Sequence, residues 1–356
     1  MSDTKKPVLE VKDLVVKFRV RKKELTAIRS ASLDLYDGET LAIVGESGSG
    51  KTVLTKCITG MLESNGRIPS GSITFEGRNL LDIKTDKDWE AIRGAKIATV
   101  FQDPMTSLNP LKKIGIQISE VIEKHQKLPA ADARGIALAL MEKVGIKDAP
   151  KRFNDYPFQY SGGMRQRIVI AIALACKPRI LICDEPTTAL DVTIQAQILN
   201  LIRALQRDFG FTTIYITHDL GVVANVADRV AVMYAGQIVE YGTVREIFYD
   251  SRHPYTWALI SSLPTLAKKD EALFAIPGTP PTLFNEIVGD AFAPRNRYAL
   301  NIDFEEEPPF FQVSPTHFAK TWLLDPKAPP ADPPEAVKLM RRKGKVQVED
   351  RAEASK

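Results

Sequence analysis

The chain has 356 residues, 44% of them hydrophobic, and 48 Lys and Arg set against 44 Asp and Glu leave a formal net charge of +4. That is enough apolar content for a globular main body with an addition. Charge this nearly balanced gives no reason to invoke nucleic acid.

The first residues, "MSDTKKPVLEVKD", lack the long apolar stretch and small-residue cleavage site of a secretory signal. The segments "VLEVKDLVVKF" and "ASLDLYDGETLAIV" read as strands, the latter broken by the turn "YDGE". After a glycine-rich loop, "KTVLTKCITGML" has helical length and spacing, and "GSITFEGRNL" reads as strand, turn and strand. From about Ser119 to Val144 the apolar positions keep a period near 3.6, which predicts a helical insertion. The apolar run from Ile168 to Cys176 is too short to cross a bilayer and reads as a buried helix. "RILICDEP", "TTIYITHD" and "RVAVMYAGQIVEYG" are strand-like, with a clear helix in "VTIQAQILNLIRALQRDF", and together they imply a parallel sheet. Beyond "HPYTWALISSLP" proline accumulates, through "IPGTPPTL" and "DPKAPPADPPEA". A boundary is therefore expected near Ser251, and disorder after about Asp325. Cys57, Cys176 and Cys183 stand in apolar surroundings without paired spacing, as buried thiols of a reducing compartment would.

Two stretches carry chemistry on their own. Gly45, Glu46, Ser47, Gly48, Ser49, Gly50, Lys51 and Thr52 form G-x-x-x-x-G-K-[ST] between a strand and a helix. Glycines let backbone amides curl around phosphates, the helix N-terminus adds its dipole, Lys51 adds a point charge and Thr52 is placed to ligate magnesium. The loop predicts a bound nucleoside triphosphate; the plainer alternative is a glycine-rich turn. In "RILICDEPTTALD" a strand delivers Asp184 and Glu185 to the end of a parallel sheet where ligands bind. Asp184 is then the metal-side acid and Glu185 the candidate base, unless the two acids serve only to start the next helix.

"YSGGMRQRIVIAIALA", with Ser161, Gly162 and Gly163, resembles the signature motif of ATP-binding cassette ATPases. Gln102 in "VFQDP" resembles the Q-loop, "TALD" ending at Asp191 the D-loop, and His218 in "ITHD" the switch histidine. Each alone could be an ordinary polar loop residue. Together and in this order they resemble the cassette over residues 8 to about 250. The resemblance implies an α/β P-loop NTPase fold: a RecA-like core, an antiparallel β subdomain and a helical subdomain, followed by a C-terminal extension. The corresponding ranges are 1–102 and 161–250 for the core, 103–160 for the helical part, 251–325 for the extension and 326–356 for a disordered tail.

The resemblance also implies a mechanism. Two cassettes pack head to tail, so that Ser161 and the Gly163 amide of one close over the nucleotide of the other. Glu185 polarises the attacking water, His218 contacts the γ-phosphate, and Gln102 links metal and water to whatever docks on the helical insertion. Phe18 stands where the family places an aromatic on adenine, or is simply a buried strand phenylalanine. No heptads between the P-loop and the signature suggest a coiled coil, and the chain holds one cassette, so a transport role is favoured over DNA repair or ribosome work.

Finer resemblance, in "FQDPMTSLNP", "YPFQYSGGMRQR", "DEPTTALDVTIQAQIL", "SRHPYTWALISSLP" and "IPGTPP", points to the ATP-binding subunits of oligopeptide and dipeptide permeases, whose relatives include nickel importers. It implies ATP and Mg2+, a second and different ATPase chain, two polytopic membrane subunits, an extracytoplasmic peptide-binding protein, no nucleic acid, and a peripheral place on the cytoplasmic face of the cell membrane. A metal or other small solute is the alternative cargo, and a regulatory or nucleic-acid ATPase the alternative class. Many such subunits carry four cysteines in the extension that can hold an iron-sulfur cluster. Here Asp290, Asn296, Asp303 and Lys320 stand in the matching places, so no cluster is expected, and Phe292, Tyr298, Phe310, Phe311 and Trp322 are expected to pack the extension.

Overall fold

The computed structural model describes residues 6–188, 190–266 and 275–354. The chain opens with β1 (Leu9–Val20), β2 (Lys23–Leu35), β3 (Thr40–Val44) and α1 (Lys51–Ile58), then β4 (Gly66–Phe75), β5 (Arg78–Asn79), α2 (Asp86–Glu90) and β6 (Ile97–Val100). A helical stretch follows: α3 (Pro104–Ser107), α4 (Ile114–Gln126), α5 (Ala130–Lys143), α6 (Ala149–Arg152) and α7 (Gly162–Leu174). The core resumes with β7 (Ile180–Asp184), α8 (Val192–Phe209), β8 (Thr212–Thr217), α9 (Leu220–Val226), β9 (Arg229–Tyr234) and β10 (Gln237–Thr243). Last come α10 (Val244–Tyr249), α11 (Pro254–Ser261), β11 (Phe311–Gln312), β12 (Phe318–Ala319) and α12 (Glu335–Ala354).

Two sheets result. The smaller is antiparallel, in the order β2-β1-β4-β5, and its strands alternate as half-buried strands should. The larger runs β11-β12-β10-β9-β3-β8-β7-β6, with β9, β3, β8, β7 and β6 mutually parallel. Strands β3 and β8 are buried along their whole length, which explains their continuous apolar or threonine-rich runs. The helical insertion packs Ile114, Ile118, Ile122, Ala133, Ala137, Leu140 and Met141 into a core shared with Val100, Leu181 and Cys183 of the main sheet, and the last five of the insertion's residues fall in the stretch predicted as helical.

Ser251 does not coincide with a gap in packing. It is fully buried, and a third hydrophobic cluster joins Ala42 and Val44 of β3 to Tyr255, Trp257, Phe292 and Val337. β12 extends the main sheet by pairing with β10. Glu240 of β10, fully buried, accepts the backbone N–H groups of Arg252 and His253, and its Oε1 lies 2.8 Å from Nε2 of buried His317.

The expectation of disorder after Asp325 is corrected by α12. Val337 is buried, Arg341 Nη2 donates to Ser251 O at 2.8 Å, and Gly344 sits against the Tyr249 side chain. The stripe formed by positions 337, 340 and 344 is narrow, and the surrounding prolines and charges mask it in a compositional reading. Phe310 is also corrected, being exposed with Lys320 over its ring, whereas Phe292 is buried, Tyr298 meets Trp257 edge-on and Phe311 meets Trp322. The cysteines are free thiols, Cys57 and Cys183 buried and Cys176 half-buried. Among the described residues, no helix is long and apolar enough to cross a membrane.

Candidate nucleotide site

The loops after β3, β6, β7 and β8 leave the C-terminal ends of neighbouring parallel strands, the end where α/β sheets bind ligands. The first three meet over a cleft of about 480 Å³ lined by Ser47, Gly48, Gly50, Lys51, Thr52, Gln102, Asp184 and Glu185. At its other end the cleft is apolar, lined by Phe18, Leu25, Ala27 and Leu283.

The glycine loop holds its shape for steric reasons. A Cβ at Gly45 would lie 2.1 Å from Met233 O, and one at Gly50, where φ is +105°, would meet Ala27 O at 2.9 Å. Gly48, at φ +79°, faces open space, so the concave side is free to receive a ligand. Lys51 folds over the loop, its Nζ donating to Gly45 O at 2.7 Å and Glu46 O at 2.9 Å. Burial lowers its pKa, opposed by the charges of Glu185, Asp184 and Glu46. An ammonium already held by two carbonyls above an open amide nest suits a polyphosphate.

Asp184 ends β7 half-buried, its pKa raised chiefly by burial and held back by the Thr52 hydroxyl beside it. Glu185 follows with φ 46°, a left-handed turn that redirects a non-glycine side chain. Its Oε2 accepts from Gln102 Nε2 at 3.2 Å and Thr188 Oγ1 at 3.0 Å, and its Oε1 lies 3.0 Å from His218 Nδ1. Three loops separated widely in sequence thus converge on one carboxylate.

Other expected site residues lie elsewhere. Ser161 caps α7, its Oγ accepting from Met164 N at 3.4 Å, and Gly162 is exposed with it. Gly163 packs so closely on Ile194 that a Cβ would come within 2.7 Å of it. Asp191 caps α8, accepting from Ile194 N at 2.9 Å, while Ala189 of the same loop lies outside the described residues. None of these four lines the cleft. Glu46 faces away from it: its N–H donates to Tyr255 Oη at 2.8 Å and its carboxylate takes a bidentate pair from Arg295 at 2.5 and 2.9 Å. Sequence reasoning placed Glu46 among the nucleotide contacts and missed Tyr255, Leu283 and Arg295 entirely, because nothing local marks a partner so far along the chain.

The places expected for cluster cysteines hold polar structural groups. Asp290 Oδ1 accepts from Phe292 N, Asn296 Oδ1 from Tyr298 N and Asp303 Oδ2 from Leu300 N, while Lys320 pairs with Glu307.

Residues 28–188 match the ABC transporter family, and residues 239–302 match the oligopeptide/dipeptide transporter C-terminal region. The chain is 64% identical over 337 residues to the oligopeptide transport ATP-binding protein AmiE of Streptococcus pneumoniae, covering 95% of each. It is 60% identical to the dipeptide transport ATP-binding protein DppD of Lactococcus lactis, over 93% of this chain and 95% of that one. With the oligopeptide transport ATP-binding protein OppD of Bacillus subtilis the identity is 58%, over 94% of each. Among solved structures, the dimeric ATP-binding cassette MJ0796 in a post-hydrolysis state with ADP and Pi matches 66% of this chain and 98% of its own, at 26% identity and a TM-score of 0.59. The P-loop cleft, the loops that converge on Glu185 and the C-terminal region therefore agree with these matches: the chain belongs to the family of ATP-binding subunits of oligopeptide and dipeptide ABC transporters.

Proposed function

We propose that this chain binds and hydrolyses ATP to drive import of oligopeptides through separate membrane subunits. The observation that carries the reading is Glu185, held between Gln102 and His218 at the mouth of the P-loop cleft. A carboxylate fixed on two sides beside a phosphate cradle is positioned to orient and polarise a water against a terminal phosphate. Lys51 and the amides of the loop hold the phosphates, and His218 contacts the γ-phosphate. Thr52, Asp184 and Gln102 supply an all-oxygen donor set, which suits Mg2+ held through one carboxylate and the substrate's own phosphates. Bound there, the ion would neutralise developing charge on the phosphate oxygens.

Ser161, Gly162, Gly163 and Asp191 lie outside the cleft, so closure requires a second cassette, presented head to tail. A different ATPase chain is the proposed partner. A groove of about 570 Å³ between the sheet edge and the helical insertion, lined by Met61, Ile97, Phe101, Val121, Val169 and Ile172, supports docking of the two polytopic membrane subunits beside the Gln102 loop. That arrangement puts the chain peripherally on the cytoplasmic face of the membrane. An extracytoplasmic peptide-binding protein completes the system, and the names of the relatives favour peptide as cargo over nickel or another small solute.

The test is Glu185→Gln in the assembled transporter. ATP binding should persist while turnover falls about 100- to 10,000-fold, the usual cost of losing a positioned base. Turnover near the wild-type rate would remove Glu185 from this role.

A further inference from the structure

The "IPGTPPTL" stretch has no function in the cassette motifs, yet it reaches the nucleotide cleft. Leu283 carries its main chain to β2, where Thr26 N donates to Leu283 O at 2.9 Å. Thr26 lies between Leu25 and Ala27, and both of these line the apolar end of the cleft with Phe18 and Leu283 itself. Pro280 and Pro281 fix φ just before this contact, so the loop is restricted before any ligand arrives. Phe18 and Leu283 line the same cleft as Lys51 and Thr52, where phosphates would sit.

The same extension reaches the phosphate loop, from the side away from the cleft, through Arg295. Its side chain is 4% exposed, and besides the bidentate pair with Glu46 it donates from Nε to Pro277 O at 2.8 Å and from Nη1 to Tyr234 Oη at 3.2 Å. Tyr255 accepts the Glu46 N–H. The second residue of the phosphate loop is thus held by two side chains that lie after the sheet's parallel strands, Tyr255 and Arg295, neither of which lines the cleft.

We propose that the C-terminal extension is one wall of the nucleotide site, with Leu283 contacting the base and Arg295 acting as a positioning residue that fixes the phosphate loop through Glu46. The inference rests on the ATP-binding reading above and deepens it. Its two halves separate experimentally, because a base contact matters to ATP and not to a bare phosphate chain, whereas loop geometry matters to both.

Binding of ATP and of inorganic tripolyphosphate, each with Mg2+, is measured by calorimetry on the full chain. Leu283→Ala removes a partly exposed apolar contact and should weaken ATP about 3- to 10-fold while leaving tripolyphosphate unchanged. Arg295→Met should weaken both ligands by a similar factor, and Arg295→Lys, which keeps the charge but loses the fork, should recover part of the loss. Thermal melting accompanies each variant; should Arg295→Met not fold, Glu46→Gln loosens the same contact from the other side and must weaken both ligands. Equal ATP affinity in wild type and Leu283→Ala overturns the base contact, and equal affinity in the Arg295 and Glu46 variants overturns the positioning role. Wild-type protein that binds neither ligand, or Lys51→Ala protein that binds both normally, overturns the ATP-binding reading itself and is distinct from these.

Discussion

The cassette and its C-terminal extension use polar residues in opposite ways. In the cassette, Lys51, Asp184, Glu185 and Gln102 line an open cleft, and His218 joins them with 57% of its side chain exposed. Where the extension meets the sheet, Glu240 of β10 and His253 and His317 of the extension are fully buried and serve the backbone and one another. The first set leaves polar groups facing an open cleft, and the second uses its polar groups to hold a proline-rich chain against the sheet. Substitutions in the cleft should therefore cost turnover with little change in stability, and substitutions in the extension the reverse, with Leu283 and Arg295 as the exceptions.

Lys51→Ala is the largest expected effect. It removes the cation over the amide nest, so ATP binding should fall below detection while the melting temperature stays within a few degrees, since a burial-depressed ammonium contributes little net stability. A Lys51→Ala protein that binds ATP normally would erase the contrast at its strongest point.

His317→Ala probes the other side. It leaves the Glu240 carboxylate fully buried, with its two backbone N–H donors but without the imidazole. Loss of one partner from a buried pair commonly costs about 3–5 kcal/mol, and the backbone donors that remain place this one near the lower end. Urea unfolding should show that loss while ATP affinity of the folded fraction is unchanged. A cost under about 1 kcal/mol would mean that the node does not hold the extension in place.

What could be read from sequence follows the same division. Motif residues at strand ends lie within a few positions of the elements that present them, so the P-loop, Asp184 and Glu185 are legible as types at fixed spacing, whereas Gln102 and His218 are legible only through the resemblance to the cassette family. Phe18 reads either as an adenine contact or as strand core, and it both lines the cleft and packs on the core of the smaller sheet. The Glu46 carboxylate pairs with Arg295, 249 residues away, which its residue type and motif position do not announce. α12 escapes a compositional reading because its few apolar residues, such as Val337 and Met340, sit between a proline-rich stretch and a charged run, and the groups that the helix covers, among them Tyr249, Ser251 and Trp257, are brought close only by the fold.

Asp290 offers the smallest effect and the most discriminating one, because its sign depends on pH. It is 6% exposed, and burial pushes its carboxyl up to about 6 from an ordinary 3.8, despite the Phe292 N–H and the charges of Lys320 and Arg29. A carboxyl raised on folding binds its proton more tightly in the folded chain than in the unfolded one. Stability from this group is therefore complete below about pH 4, declines as pH rises through about 6, and stays lowered above that. Asp290→Asn keeps the Oδ1 acceptor for Phe292 N–H and removes the charge. It should stabilise the protein near pH 7 by on the order of 2 kcal/mol, with the advantage shrinking as pH falls and vanishing near pH 4. Urea titrations of both proteins from pH 4.5 to 8 measure that closing gap. Curves that stay parallel would show the Asp290 carboxylate to be as well accommodated in the folded extension as in water, and the burial argument for this part of the molecule would fail.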